Sequence, residues 1–408
     1  MNQPLNYEEM KQITTKVYSP TTPIKEESLF FGRKKNLDRV HQAVIEDGQH
    51  IILYGERGVG KTSLSNIVAS RYRMAITPKV TCNSSSTLHS VWKSIFQQLP
   101  LSFERRKKIG FKTEDINDQE ILSVTKMSDL LSNQQNSSID EITNLLLKLS
   151  NFRAPILFIF DEFDQVRKND FIHGMSNIVK YCSDHIANIT IMLVGIGNSV
   201  NDLIGEHQSI ERCVKQIYLE RMSDPELLEI LNYANTKIGV TMDSDISKNI
   251  VRYSAGFPHY THLLGKFSTL SALERSSNSV KNQDFTNAIK HALENASESI
   301  RNTYQKAIIT TKKNSYFPQI LIACALAPTD QHGTFRASDL ESVLKDKLKL
   351  NLKMQAYQYH IGRLCIKERG EILEKIEISS TQYRYRFCNP LFKGFLLLKH
   401  FEMNSGNI

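Results

Sequence analysis

Residues 50–68 read HIILYGERGVGKTSLSNIV. An apolar run ends at Tyr54, and three glycines follow at Gly55, Gly58 and Gly60. Lys61, Thr62, Ser63 and a new apolar pattern come next. The first run predicts a buried strand, and TSLSNIVASRY predicts a helix. Glycine is a poor helix former. Its density at the mouth of a helix marks a backbone path that side chains would forbid.

The spacing Gly55-x-x-x-x-Gly60-Lys61-Thr62 is the P-loop pattern. Such a loop, with Glu56, Arg57 and Val59 filling its variable positions, turns backbone N–H groups toward a phosphate chain. The helix that begins near Lys61 adds its positive end to the same anion. Lys61 supplies a point charge for the terminal phosphates, and the Thr62 hydroxyl suits Mg²⁺. A P-loop calls for a carboxylate on a neighbouring strand, and ILFIFDEFD (156–164) provides it. Asp161 stands where a buried strand emerges and is placed to hold Mg²⁺ through water. Glu162 is the candidate to polarise an attacking water, and Asp164 reads as a cap or loop residue.

Outward from this pair, apolar strands alternate with helices. PKVTCN and NITIMLVGIGN read as further strands, TLHSVWKSIFQQL, SIDEITNLLLKLSN and FIHGMSNIVKYC as helices. Strands that are apolar throughout imply a parallel sheet covered on both faces. The expected fold is therefore α/β, a P-loop parallel sheet followed by an all-helical lid and a C-terminal winged-helix domain. The expected boundaries are an arm or linker over 1–27 and a nucleotide-binding base over 28–221, with a polar insertion at 101–138. A helical lid over 222–300 and a winged helix over 301–408 complete the chain.

Charge is segregated. The 408-residue chain carries a net +8. Residues 301–408 hold 17 Lys+Arg and 9 Asp+Glu, so 17 − 9 = +8 and the first 300 residues sum to zero. A localised basic surface points to a polyanion partner, nucleic acid first. The six cysteines are scattered without a CxxC pair, which argues against a zinc site and fits a reducing cytosol. No apolar run is long enough to span a bilayer, and the start MNQPLNYEEM lacks the order of a signal peptide. A cytoplasmic location is expected.

With these residues in hand, the chain resembles the AAA+ ATPases, and more closely their origin-recognition/initiator branch, over about residues 28 to 295. The resemblance implies that FFGRKKNL packs on the adenine through Phe31, Gly32 and Arg33. It implies that LVGIGNS is a sensor strand with Asn198 facing the γ-phosphate. Asn83 matches a polar residue that restrains the catalytic glutamate, and Arg212 a finger that reaches a neighbouring subunit's nucleotide. SAGFPHYTHLLG resembles the second sensor helix, but His259 stands where the branch usually has arginine. A histidine is only partly charged near neutral pH, so lid closure on nucleotide is expected to be weaker or pH-sensitive. The Gly-x-Pro element there also resembles STAND-type signalling ATPases.

In the last quarter, YFPQILIACALA, GTFRASDLESVLKDKL and NLKMQAYQYHIGRLCIKERGEIL read as three helices, and EILEKIEISSTQYRYRFCNPLF as a hairpin. That is the order of a winged helix. Ile361, Leu364 and Ile366 fall on or near the buried side of the third helix. Lys353, Gln355, Gln358, Arg363 and Lys367 form a face for a major groove, and Arg384 and Arg386 on the wing suit phosphate. The expected protein is a slowly hydrolysing ATP·Mg²⁺ switch that engages double-stranded DNA. It acts as a homo-oligomer or with a partner ATPase that supplies arginine in trans. Two other readings stand beside it: a STAND-like signalling ATPase, as in bacterial defence, that oligomerises on a protein trigger, and a target-selection ATPase of a mobile element.

Overall fold

The computed structural model describes residues 6–72, 75–99, 102–107, 121–131, 138–152, 154–197, 203, 208–309, 315–330, 332–379 and 381–405. The chain forms two compact units, one of residues 34–55 and 61–219, the other of residues 1–33, 56–60 and 220–408. Helix α1 (Tyr7–Val17) belongs to the second.

The first unit begins with α2 (Lys34–Ile45), β1 (His50–Gly55), α3 (Lys61–Arg71), β2 (Lys79–Thr81) and α4 (Leu88–Gln97). A hairpin of β3 (Ser102–Lys107) and β4 (Ile121–Lys126) follows, then α5 (Ile139–Leu149), β5 (Ile156–Asp161), α6 (Asn169–His185), β6 (Ile189–Ile196) and β7 (Val214–Tyr218). Five strands pair in the order β2-β5-β6-β1-β7, and every pairing is parallel. All six residues of β5 are buried, as a strand covered on both faces requires. Trp92 of α4 is fully buried and meets Phe158 and Phe160 edge-on at 5.4 and 5.1 Å between ring centres. Because the strands are parallel and in register, their carboxyl ends share one edge. Gly55 pairs with Ile196, and on the other side of β6 Phe160 pairs with Leu193. The glycine loop and the two acids therefore leave the sheet from the same edge, where open α/β sheets bind ligands.

The second unit contains α1, α7 (Asp224–Ile238), α8 (Ser244–Ser254), α9 (Pro258–Glu274), α10 (Asn282–Glu294) and α11 (Glu298–Ile308). Two-residue strands β8 (Thr241–Met242) and β9 (Ser279–Val280) pair in parallel. Then come α12 (Phe317–Leu326), α13 (Leu340–Ser342), which runs into a π-helical turn over Val343–Lys347, and α14 (Met354–Leu364). The antiparallel hairpin β10 (Leu373–Ser379) and β11 (Gln382–Phe387) precedes a final helix, α15 (Leu391–Ser405). Phe335 bridges to Tyr385, adding a third short edge to the hairpin.

Three sequence expectations change here. The N-terminal stretch contains a helix, because Asn6 and Glu9 form a capping box and Met10, Thr14 and Tyr18 bury one face at four-residue spacing. Within the 101–138 insertion, Ser102–Lys107 and Ile121–Lys126 pair as antiparallel strands where irregular chain is expected. Helix α15 is not signalled by the sequence, because its apolar FLLL run carries no amphipathic period.

Candidate functional site

In the sheet unit, β1 delivers Gly55 and α3 opens with Lys61. Gly55 has φ +148°, and a Cβ there would lie 2.5 Å from the Leu219 carbonyl oxygen, so only glycine fits. Lys61 is buried, and its Nζ donates to the Gly55 carbonyl at 2.9 Å. One residue on, the Thr62 Oγ1 lies 3.5 Å from Asp161 Oδ1. That brings the lysine, the hydroxyl and the carboxylate expected from the sequence to one place. Asp161 Oδ1 also accepts from the Glu162 N–H at 3.0 Å. Its other oxygen, Oδ2, is 2.9 Å from the Lys79 ammonium, which sequence reading missed. Lys79 opens β2 and carries no motif signal, since a lysine at a strand end is ordinarily a solvated charge.

Glu162 is exposed and sits in the left-handed region at φ 53°. Asp164 accepts from the Ile196 N–H at 2.8 Å and so ties the end of β6 to the turn after β5. Asn83 is turned into its own loop, accepting from Ser85 N at 2.9 Å and Ser85 Oγ at 2.6 Å. It does not reach Glu162 through any bond recorded among the described residues. Arg212 is 74% exposed and 3.5 Å from Asp184, a surface position. Asn198 lies outside the described residues.

Thr62 Oγ1 and Asp161 Oδ1 are two hard oxygen donors side by side, which fits Mg²⁺. Among the described residues, no group of three or more His, Cys, Asp or Glu could hold a metal by itself. Mg²⁺ characteristically takes one or two protein oxygens and completes its shell with water and phosphate.

Residues 56–60 belong to the helical unit. Glu56 makes a two-point ion pair with Arg221, at 2.6 and 2.9 Å, and the Arg221 guanidinium lies 4.8 Å over the Phe257 ring. At Gly58 (φ +87°) a Cβ would meet Leu391 Cδ2 at 2.9 Å. Lys393, also of α15, is buried. Burial first, then repulsion from Arg221, pushes its pKa down to about 7, with Glu56 pulling the other way. Arg33, buried with φ 61°, donates to the Val59 carbonyl at 3.1 Å and the Glu220 carbonyl at 2.7 Å. Burial lowers its pKa, opposed by Glu226 and Glu220. Phe31 stacks at a tilt on Tyr233, 4.8 Å apart, and the backbone turns at Gly32 with φ 65°. Arg57 is exposed, and Val59 is buried. His259 Nδ1 lies 2.6 Å from the Pro20 carbonyl oxygen. A carbonyl only accepts, so Nδ1 carries the proton.

At the C-terminal end, Tyr357, Ile361 and Leu364 are buried on α14, as expected for Ile361 and Leu364, while Ile366 is half-buried. Lys353, Gln355, Gln358 and Lys367 are exposed and Arg363 is half-buried. The hairpin arginines are engaged at home. Arg384 pairs with Asp330 at 3.1 Å and bonds Thr334 through its hydroxyl and carbonyl. Arg386 pairs with Glu374 of the facing strand.

Residues 44–204 match the AAA domain family. The matched stretch contains the glycine loop, Thr62 and Asp161, and its likeness to that family agrees with the resemblance read from the motifs. The chain is also similar in fold to two solved structures. One is the Walker-type ATPase PABY2304 of Pyrococcus abyssi, at 16% identity, covering 93% of this chain and 99% of that one with a TM-score of 0.56. The other is the ORC2 protein of Aeropyrum pernix in ADPNP–ADP complexes, at 13% identity, covering 97% and 99% with a TM-score of 0.53. No protein of curated function matches the sequence. Among the described residues no helix is long and apolar enough to cross a membrane.

Proposed function

We propose that this chain binds ATP with Mg²⁺ at its glycine loop, hydrolyses it slowly as a switch, and engages double-stranded DNA through its basic C-terminal elements. The observation that carries the nucleotide reading is the meeting of Lys61, Thr62 and Asp161 at one sheet edge. In this reading Lys61 leaves the Gly55 carbonyl for the terminal phosphates. Thr62 and Asp161 hold the magnesium, which when bound neutralises phosphate charge. Glu162, projecting from the exposed turn after β5, orients the attacking water. His259, at the start of α9, stands as the second-sensor residue of the resemblance, and the exposed Arg212 serves a neighbouring subunit. The ADPNP and ADP in the Aeropyrum pernix ORC2 structure support the ligand class.

For DNA, support comes from the charge excess in 301–408 and from the helix–helix–helix–hairpin order, which suits a winged helix. The exposed side of α14, with Lys353, Gln355 and Gln358, is the reading face; Arg363 and Lys367 flank it. Arg384 and Arg386, already paired, brace the wing and reach phosphate only by exchanging partners.

The test is binding of a fluorescent ATP analogue. Lys61→Ala should lose it, and Glu162→Gln should keep it while turnover falls at least tenfold. Retained turnover in either variant would remove the assignment. Duplex DNA affinity should fall steeply between about 50 and 200 mM salt and weaken in the Arg363→Glu, Lys367→Glu double variant. Salt-independent binding, or none, would end the DNA reading.

A further inference from the structure

Asp161 divides its carboxylate between two tasks. Oδ1 faces the Thr62 hydroxyl at 3.5 Å and the Glu162 N–H at 3.0 Å. Oδ2 faces Lys79 at 2.9 Å. The Lys79 ammonium also reaches Ser65 Oγ and Asn66 Oδ1, each at 2.7 Å. An ammonium has three N–H donors, and all three have an acceptor here. The cation is thus anchored to α3, the helix that carries Lys61 and Thr62, and to the carboxylate on β5. The Asp161 side chain is 3% exposed and that of Lys79 20%, so the pair is poorly screened by solvent.

We propose that Lys79 is a positioning residue that acts as a resident counter-cation on Asp161 and sets how much magnesium the site requires. This rests on the nucleotide reading above. The argument is electrostatic. A fixed positive charge on Oδ2 holds the carboxylate so that Oδ1 points at Thr62, and it cancels part of the negative charge that would attract a dication to the same group. Magnesium therefore binds next to an ion pair rather than next to a bare carboxylate. The site favours magnesium that arrives with the negative charge of a nucleotide over free magnesium, because the triphosphate restores the anionic charge that Lys79 offsets.

The experiment titrates Mg²⁺ into the full chain with a fluorescent ATP analogue and reads the half-saturating Mg²⁺ concentration. Lys79→Gln, which keeps bonding groups for Ser65 and Asn66 but not the charge, and Lys79→Met should each lower it about three- to tenfold. Lys79→Arg should stay near the parent. In an Asp161→Asn background the Lys79 substitutions should shift it no further. Circular dichroism at each point establishes folding, and the two neutral variants guard against one that fails to fold. A midpoint unchanged or raised in a folded neutral variant, with the parent binding nucleotide in a magnesium-dependent way, overturns the role of Lys79 and leaves the nucleotide reading standing. No binding by the parent at any Mg²⁺ concentration overturns the nucleotide reading and this inference with it.

Discussion

Lys393→Met should make the protein more stable, and the gain should vanish in alkali. The amine is buried and its pKa lies near 7 instead of 10.5, chiefly through burial and then through repulsion from Arg221. A basic group whose folded pKa is lowered carries no penalty above its unfolded pKa. As pH falls from about 10.5 to 7 the unfolded chain binds the proton first, so stability drops across that window. At about 1.4 kcal/mol for each of the 3.5 units between 10.5 and 7, the full cost is about 5 kcal/mol, and about 4 kcal/mol of it is present at pH 7. Methionine has nearly the same length and no charge. The variant should gain about 2–4 kcal/mol at pH 7, the lower bound allowing for the favourable Glu56 contact that is lost. Urea unfolding followed by circular dichroism at pH 7, 8.5 and 10 reads it directly. Hydrogen exchange of the α15 amides separates the helical unit from the sheet unit. A variant that is less stable at pH 7, or more stable by the same margin at pH 10, would refute the burial argument.

Acid should act on the sheet unit through His50. Its Nδ1 accepts from the Ile191 N–H at 3.0 Å, and burial pushes its pKa down to about 4. Stability is full above pH 6.5 and should fall by about 3 kcal/mol toward pH 4, with a shallower slope in His50→Gln. Gly55→Ala should lower the melting temperature and solubility, because its Cβ would sit 2.5 Å from the Leu219 carbonyl oxygen; unchanged melting would contradict that close approach. Arg384→Ala should speed hydrogen exchange of the β11 amides through loss of the Asp330 and Thr334 contacts, even without DNA. Exchange that stays slow would return Arg384 to a role outside the hairpin's own packing.

The glycine-loop half of the site was legible because its signals are local. A glycine run between a strand and a helix, and a fully apolar strand that ends in two acids, each announce themselves within a dozen residues. Parallel pairing then brings Thr62 and Asp161 together with no further information. What the sequence hid depends on long-range placement. Lys79 meets Asp161 across 82 positions, Arg221 meets Glu56 across 165, and Lys393 comes from a helix whose polar spacing is too sparse to read. Single charged residues carry no period, so only the fold tells which of them face inward. Arg384 and Arg386 of the hairpin show the converse: their charge is plain in the sequence, and the acids that already occupy it are not.

The corner that carries Glu162 has a consequence for design. A backbone wound to φ 53° disfavours any residue with a Cβ by about 1–2 kcal/mol relative to glycine. Screens that select this protein for heat resistance alone should drift toward Glu162→Gly, relaxing the bend while deleting the carboxylate. Under the function proposed above, robustness and turnover would then move in opposite directions at a single codon, and a thermostable clone that has lost nucleotide turnover should be sequenced there first.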